Sequence, residues 1–105
     1  MRFVETPVFT RVISALLDDD QYRNLQLSLL LQPDLGSVIP RSGGLRKLRW
    51  SLTGRGKRGG MRMIYYWHQA TETFYMLYAF KKNAQQDLTA RQLRLLAQLV
   101  REELG

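Results

Sequence analysis

Residues 45–66 read LRKLRWSLTGRGKRGGMRMIYY, and the way this stretch alternates decides the fold. Leu48 and Trp50 alternate with Lys47, Arg49 and Ser51, and beyond the glycines Met63, Tyr65 and Trp67 alternate with Arg62, Ile64 and Tyr66. A period of two belongs to a β-strand, whose successive side chains leave opposite faces. Two such segments joined by Gly54 to Gly60 predict adjacent antiparallel strands with a glycine-rich connection. In that pairing Lys47, Arg49 and Arg62 leave one face and the apolar residues leave the other. No Asp or Glu lies between Asp34 and Glu72, so the cations of this stretch have no acidic neighbours in sequence. A run of like charge is often only a solvated face or a tail, but its interleaving with apolar residues argues against a tail.

Three cations converging on a sheet face suit a phosphodiester backbone. Arginine offers a planar fork of donors to phosphate oxygens, and lysine a mobile point charge. The whole chain points the same way, with a net charge of +7 over 105 residues and an isoelectric point near 10.3. A polyanionic partner follows, with nucleic acid the leading candidate and an anionic membrane surface the second. The absence of cysteine excludes disulfides, thiol catalysis and cysteine-based metal sites. With His68 the only imidazole, a histidine-rich metal centre is excluded too, and neither a metal nor a cofactor is expected. The N-terminal MRFVETPVFTRV carries no apolar core of signal-peptide length, and the longest leucine run, Leu29–Leu31, is far too short to span a bilayer. The expectation is a cytoplasmic protein that does not enter a membrane. A chain of this length makes one domain, residues 1–105, with a single core.

Around the basic stretch the elements fall in a simple order. Phe3 to Glu5 reads as a short strand. Thr6 is an N-cap and Pro7 a first helical residue, since its missing N–H needs no partner there. Val8, Phe9, Val12, Ile13, Leu16 and Leu17 recur at helical spacing. Asp18-Asp19-Asp20 interrupts that helix and opens a second, where carboxylates suit the backbone dipole, so the acidic triplet is a cap and connector and not a metal site. Tyr22, Leu25, Leu29 and Leu30 form its buried side, and Gln32-Pro33 ends it. Asp34 to Gly44 is a turn-rich connection. After the two basic strands, Gln69 to Thr73 makes a turn and Phe74 to Phe80 a further strand rich in aromatic and branched residues. Lys81-Lys82-Asn83 leaves that strand where functional loops often sit. Thr89 and Gln92 make a capping box for a last helix striped with Leu93, Leu96, Ala97, Val100 and Leu104. The predicted fold is α+β in the order β-α-α-β-β-β-α: a largely antiparallel four-stranded sheet, helices on one face, an open cationic face on the other.

Several motifs dissolve on inspection. Gly54 to Gly59 matches GxGxxG, but a dinucleotide site needs a strand before it and a helix after it, and here a strand follows. The catalytic-loop and metal signatures of kinases are absent, and no Gly-Lys-Ser/Thr ends the run as in a Walker loop. A flexible hairpin loop accounts for the glycines, and a cationic flap that closes over RNA is the functional alternative. His68 shares a face with Arg62 but lies six residues along the strand, roughly 20 Å away, too far for one phosphate to touch both. Trp50 and Trp67 fall on the apolar side as core. Tyr66 falls on the cationic face, where it can stack on a base or hydrogen-bond a phosphate.

With these residues in place, the chain resembles the RelE/HigB superfamily of toxins of type II toxin–antitoxin modules, and within it the HigB-like branch. The resemblance spans nearly the whole chain. It rests on the element order, on Leu45-Arg46-Lys47-Leu48-Arg49, on Gly56-Lys57-Arg58-Gly59-Gly60-x-Arg62-x-Ile64-Tyr65-Tyr66 and on Phe80-Lys81-Lys82-Asn83 before the last helix. It implies a RelE-like fold and a metal-independent endoribonuclease that cuts messenger RNA in the ribosomal decoding site, by attack of a ribose 2′-hydroxyl on its adjacent phosphate. It assigns the catalytic positions to Lys47, Arg49, Arg62 and Lys82. Arg46, Arg55, Lys57, Arg58, Tyr66 and Lys81 are the RNA-binding candidates around them. A family tyrosine near the start of the final helix falls at about Leu88 here, so that stacking role is vacant. The implied partners are messenger RNA, the ribosome and a cognate antitoxin with a helix-turn-helix domain. The competing expectation from another class is a non-catalytic basic module that binds RNA or ribosomes.

Overall fold

The computed structural model describes residues 1–52 and 59–104. Its elements are β1 (Arg2–Glu5), α1 (Pro7–Leu16), α2 (Asp19–Leu31), β2 (Ser37–Val38), β3 (Arg46–Ser51), β4 (Gly60–His68), a 3-10 turn (Gln69–Thr71), β5 (Thr73–Lys81) and α3 (Ala90–Leu104). The strands form one five-stranded sheet in the order β1-β5-β4-β3-β2. β3, β4 and β5 make an antiparallel meander, with β2 antiparallel on one edge and β1 parallel to β5 on the other. The α+β class and the meander agree with the sequence reading, while the expected four strands are five. The addition is β2, whose two residues pair with Arg46 and Lys47.

The caps lie where the sequence put them. The Thr6 hydroxyl accepts from the Phe9 N–H at 3.1 Å and donates to the Leu77 carbonyl at 2.7 Å, so one side chain caps α1 and ties it to β5. Asp18 caps α2 through a reciprocal box with Gln21, and Thr89 and Gln92 exchange the same pair of bonds at α3. Each satisfies backbone N–H groups that a helix start otherwise leaves bare.

The arrangement of helices corrects the sequence reading. Phe9, Ile13, Leu16, Leu17, Leu25 and Leu29 of the α1–α2 hairpin and its connection pack on Leu48, Met61, Met63, Tyr65, Phe74 and Met76, one face of the sheet. α3 lies on the other: its Ala97 and Val100 are buried with Leu45, Ile64, Leu77 and Phe80. The helices therefore cover both faces, and the cationic face is not open along its length. The reason is visible in β4 and β5, where MIYYW and FYMLYAF are apolar at successive positions and not at alternate ones, the pattern of strands buried on both sides. The register shifts between Ile64 and Tyr65, whose β5 partners are Tyr78 and Met76, so Leu77 goes unpaired. Leu77 and Tyr78 then both serve the α3 side, which a regular strand would not allow. Among the described residues no helix is long and apolar enough to cross a membrane.

Candidate functional site

The cationic constellation is built by the β3–β4 ladder. Arg49 lies directly opposite Arg62, and Lys47 lies opposite Ile64 two residues away on the same face. Side chains directly opposite in an antiparallel pair have Cβ atoms about 4.5–5.5 Å apart. Residues two apart on one strand are about 6.5–7 Å apart. All three head groups can therefore reach one phosphodiester. Like charges directly opposite each other destabilise a sheet, so the Arg49–Arg62 pairing works against folding. Arg49 is exposed, whereas Lys47 and Arg62 are half-buried.

A fourth cation enters from β5. The Lys82 N–H donates to the Gly60 carbonyl at 3.0 Å, which carries the β4–β5 ladder one step past Met61 and Lys81. Continuing the alternation returns Lys82, exposed, to the side of Arg62. Lys81 falls beside Met61 on the α1–α2 side instead. Arg46, opposite Tyr65, faces that side too, and its guanidinium donates to the carbonyl oxygens of Gly36 at 2.8 Å and Asp34 at 3.4 Å. The structure thus separates Arg46 and Lys81 from the constellation that Lys47, Arg49, Arg62 and Lys82 form. Tyr66 is on the constellation's face, half-buried against the α3 core and stacked on His68 with ring centroids 6.4 Å apart. It sits on the diagonal from Lys47, a spacing of about 7–8 Å. Gly44, at φ +102°, lies against its ring, where an added Cβ would stand 3.2 Å from Tyr66 Cε2. His68 accepts or donates to the Thr71 hydroxyl at 2.7 Å, a local role at the strand end. Trp50 and Trp67 pack against the α1–α2 core, as expected. Arg55, Lys57 and Arg58, with the glycine run that holds them, lie outside the described residues. Leu88, at the vacant tyrosine position, packs at the margin of the α3 core.

Sequence reasoning missed Asp87. Both of its carboxylate oxygens lie 3.2 Å from Lys47 Nζ, and Oδ1 also accepts the Leu88 N–H at 2.8 Å. The Leu88 N–H, with Lys47 and Arg62 behind it, holds the carboxyl below the usual carboxylate range although partial burial opposes this. The available signal was its isolation, for it is the only acid between Glu72 and Glu102. Among the described residues no group of three His, Cys, Asp or Glu side chains is placed to hold a metal ion. The chemistry that Lys47, Arg49, Arg62 and Lys82 offer together is that of clustered cations: neutralising phosphate oxygens and stabilising charge that develops on them.

Two comparisons bear on this geometry. The family described as RelE toxin of the RelE/RelB toxin–antitoxin system matches residues 31–104, which include β2 to α3 and the whole constellation. Among solved structures, the chain is similar to a double arginine-to-alanine mutant of the E. coli toxin RelE in the free state. The TM-score is 0.60 at 12% identity, over 93% of this chain and 94% of that one.

Proposed function

The chain belongs to the RelE toxin family, and from that membership we propose that it acts as one toxin domain, a metal-independent endoribonuclease that cuts messenger RNA on the ribosome and so stops translation. The observation that carries this reading is the placement of Arg49 directly opposite Arg62, with Lys47 beside them and Lys82 at the adjoining strand end. A repulsive cross-strand pair costs stability, and a polyanion is the ligand that turns the cost into binding.

In the proposed reaction the ribose 2′-oxygen bonds to the adjacent phosphorus while the bond from phosphorus to the 5′-oxygen breaks. A proton leaves the 2′-hydroxyl and another reaches the departing oxygen. Arg62 neutralises the non-bridging oxygens as charge grows on them. Lys47 or Arg49 assists the proton movements, and Lys82 closes the cationic ring. Alignment of the 2′-oxygen with the leaving oxygen supplies much of the rate, and the ribosome holds the message in that geometry. Tyr66 and the basic residues Arg55, Lys57 and Arg58 of the β3–β4 connection bind the flanking RNA, and Arg46 and Lys81 add positive potential from the other face. The site of action is the cytoplasm, and the partner that restrains the toxin is an antitoxin carrying a DNA-binding helix-turn-helix. The HigB-like character of the motifs supports that choice of partner.

The test is Arg62→Ala expressed in growing cells, with RNA ends mapped by primer extension on translating ribosomes. Growth arrest and new RNA ends are expected for the unaltered chain, and neither for the variant, whose circular dichroism stays native. Arrest without new ends would favour a non-catalytic binder that obstructs the ribosome.

A further inference from the structure

A second cationic surface lies along one flank of α3, at the margin of its core contact. Arg91, Arg94 and Arg101 project from one flank of that helix, and Arg41 approaches them from the turn before β3. Together with Gln98 they line a shallow recess of about 330 Å³. All four arginines are exposed, and among the described residues none has a carboxylate within salt-bridge distance. The turn that presents Arg41 is pinned by Ser42, whose hydroxyl donates to the Ile39 carbonyl at 2.6 Å and accepts the Leu45 N–H at 3.0 Å. Arg41 itself holds a φ of 59°, a left-handed conformation unusual for a residue other than Gly, Asn or Asp. Such strain persists only where surrounding structure enforces it, and it collects at functional positions.

We propose that this flank of α3 is a separate docking surface for the backbone of double-helical RNA, distinct from the constellation that faces the scissile strand. Four guanidiniums and no lysine favour ligands with paired oxygens, since the planar fork meets phosphate bidentately. The ten helical steps from Arg91 to Arg101 rise about 15 Å. A row of that length on a convex helix suits the wide, shallow minor groove of an A-form duplex, where recognition runs through phosphates and 2′-hydroxyls. An acidic polypeptide is the other polyanion with the right sign. It would need apolar anchors at the centre of its interface, and of the recess residues only Leu95 is a large apolar side chain standing exposed, at 56%. The proposal rests on the nuclease reading only in identifying the duplex as ribosomal RNA. Two polyanion contacts on one rigid body would then raise ribosome affinity by linkage, with no change at the cleavage site.

The experiment measures binding of the full chain to a fluorescent RNA duplex of about 16 base pairs, the span a double-stranded-RNA domain covers, across a salt series. The quadruple variant R41Q/R91Q/R94Q/R101Q is compared with R2Q/R11Q/R23Q, which removes charge from exposed arginines outside both cationic surfaces, and with the unaltered protein. The quadruple variant is expected to lose at least tenfold in affinity and to lower the salt slope by about 3, at roughly 0.7–0.9 for each phosphate contact removed. R2Q/R11Q/R23Q should bind the duplex within about twofold of the unaltered chain. Unchanged binding by the quadruple variant overturns the proposal. So does an equal loss in R2Q/R11Q/R23Q, which would mean diffuse attraction by net charge. A quadruple variant that keeps the duplex but releases polyglutamate overturns it in favour of a protein partner. Because no arm depends on cleavage, failure of the nuclease reading leaves these outcomes interpretable.

Discussion

Asp87 places a carboxylate inside a cluster whose other members are cations, and it holds Lys47 with both oxygens at 3.2 Å. An RNA phosphate reaching Lys47 must displace it. The acid is 61% exposed and the lysine 24%, so solvent screens the pair and its worth is about 0.2–1 kcal/mol. Asp87→Asn keeps an acceptor for the Leu88 N–H while removing the charge. The expected result is RNA affinity raised by up to about fivefold, the same energy expressed as binding, with stability at neutral pH changed by less than about 1 kcal/mol. The pH dependence has a definite sign. The folded carboxyl titrates below its ordinary value of 3.8, so its stabilisation is present above that value and is lost as pH falls through the lower folded one. Urea melts of both proteins at neutral and acid pH check this: Asp87→Asn should lose less stability on acidification. If the variant bound RNA more weakly than the unaltered chain, Asp87 would be a partner of the substrate and not its competitor.

Tyr65 shows how one strand residue fixes the loop that bears the edge of the site. Its hydroxyl donates to the Pro33 carbonyl at 2.8 Å and accepts the buried Gly36 N–H at 2.9 Å, clasping the connection from α2 to β2. Gly36 is required for that approach, because a Cβ there would fall 2.8 Å from Tyr65 Cε1 and 3.0 Å from the Lys47 carbonyl oxygen. Tyr65→Phe leaves the Gly36 N–H without its partner, an expected loss of about 1–3 kcal/mol. Thermal melting should register it as a fall of several degrees. Burial also pushes the Tyr65 hydroxyl above its ordinary 10.0. Burial, and then the bond to Glu5, does the same at Tyr22. Both hold their protons in the folded state, so stability is present below pH 10 and is lost as pH rises beyond it, and Tyr65→Phe should soften that alkaline loss. The sequence made α1, α2 and α3 legible through Thr6, Asp18 and Thr89, since caps are local chemistry. It also made the β3–β4 pairing and the shared face of Lys47, Arg49 and Arg62 legible, since strand parity is local too. β2 was not legible, because two residues carry no period and their pairing is decided by the Tyr65 clasp from a distant strand. Nor was Asp87, whose partner lies 40 residues away.

The face that carries the constellation is divided between two uses across the molecule. Along one row across the strands, Arg49 on β3 is exposed, while Phe80 on β5, directly opposite Arg62, is 5% exposed beneath α3 with Ile64 and Leu77. Strand parity gives the cations' face, but one face does not hold the whole core, because α3 has an apolar stripe that must be buried somewhere. With α1 and α2 already covering Met61, Met63 and Phe74, only the opposite face remained for it. The division makes opposite predictions for two residues of the same sheet face. Phe80→Ala removes a large side chain from the α3 core and should cost about 3–5 kcal/mol in denaturant unfolding, by lost transfer energy and the cavity left behind. Arg49→Ala, on the exposed β3 side, should change stability by less than about 0.5 kcal/mol, and relief of its repulsion with Arg62 favours the stabilising direction. Its effect belongs in function, as weaker RNA binding with a smaller salt slope. Were all helices on one face, Phe80 would stand in solvent and its removal would be nearly neutral. A neutral Phe80→Ala would therefore return the molecule to the one-sided arrangement and detach α3 from the core.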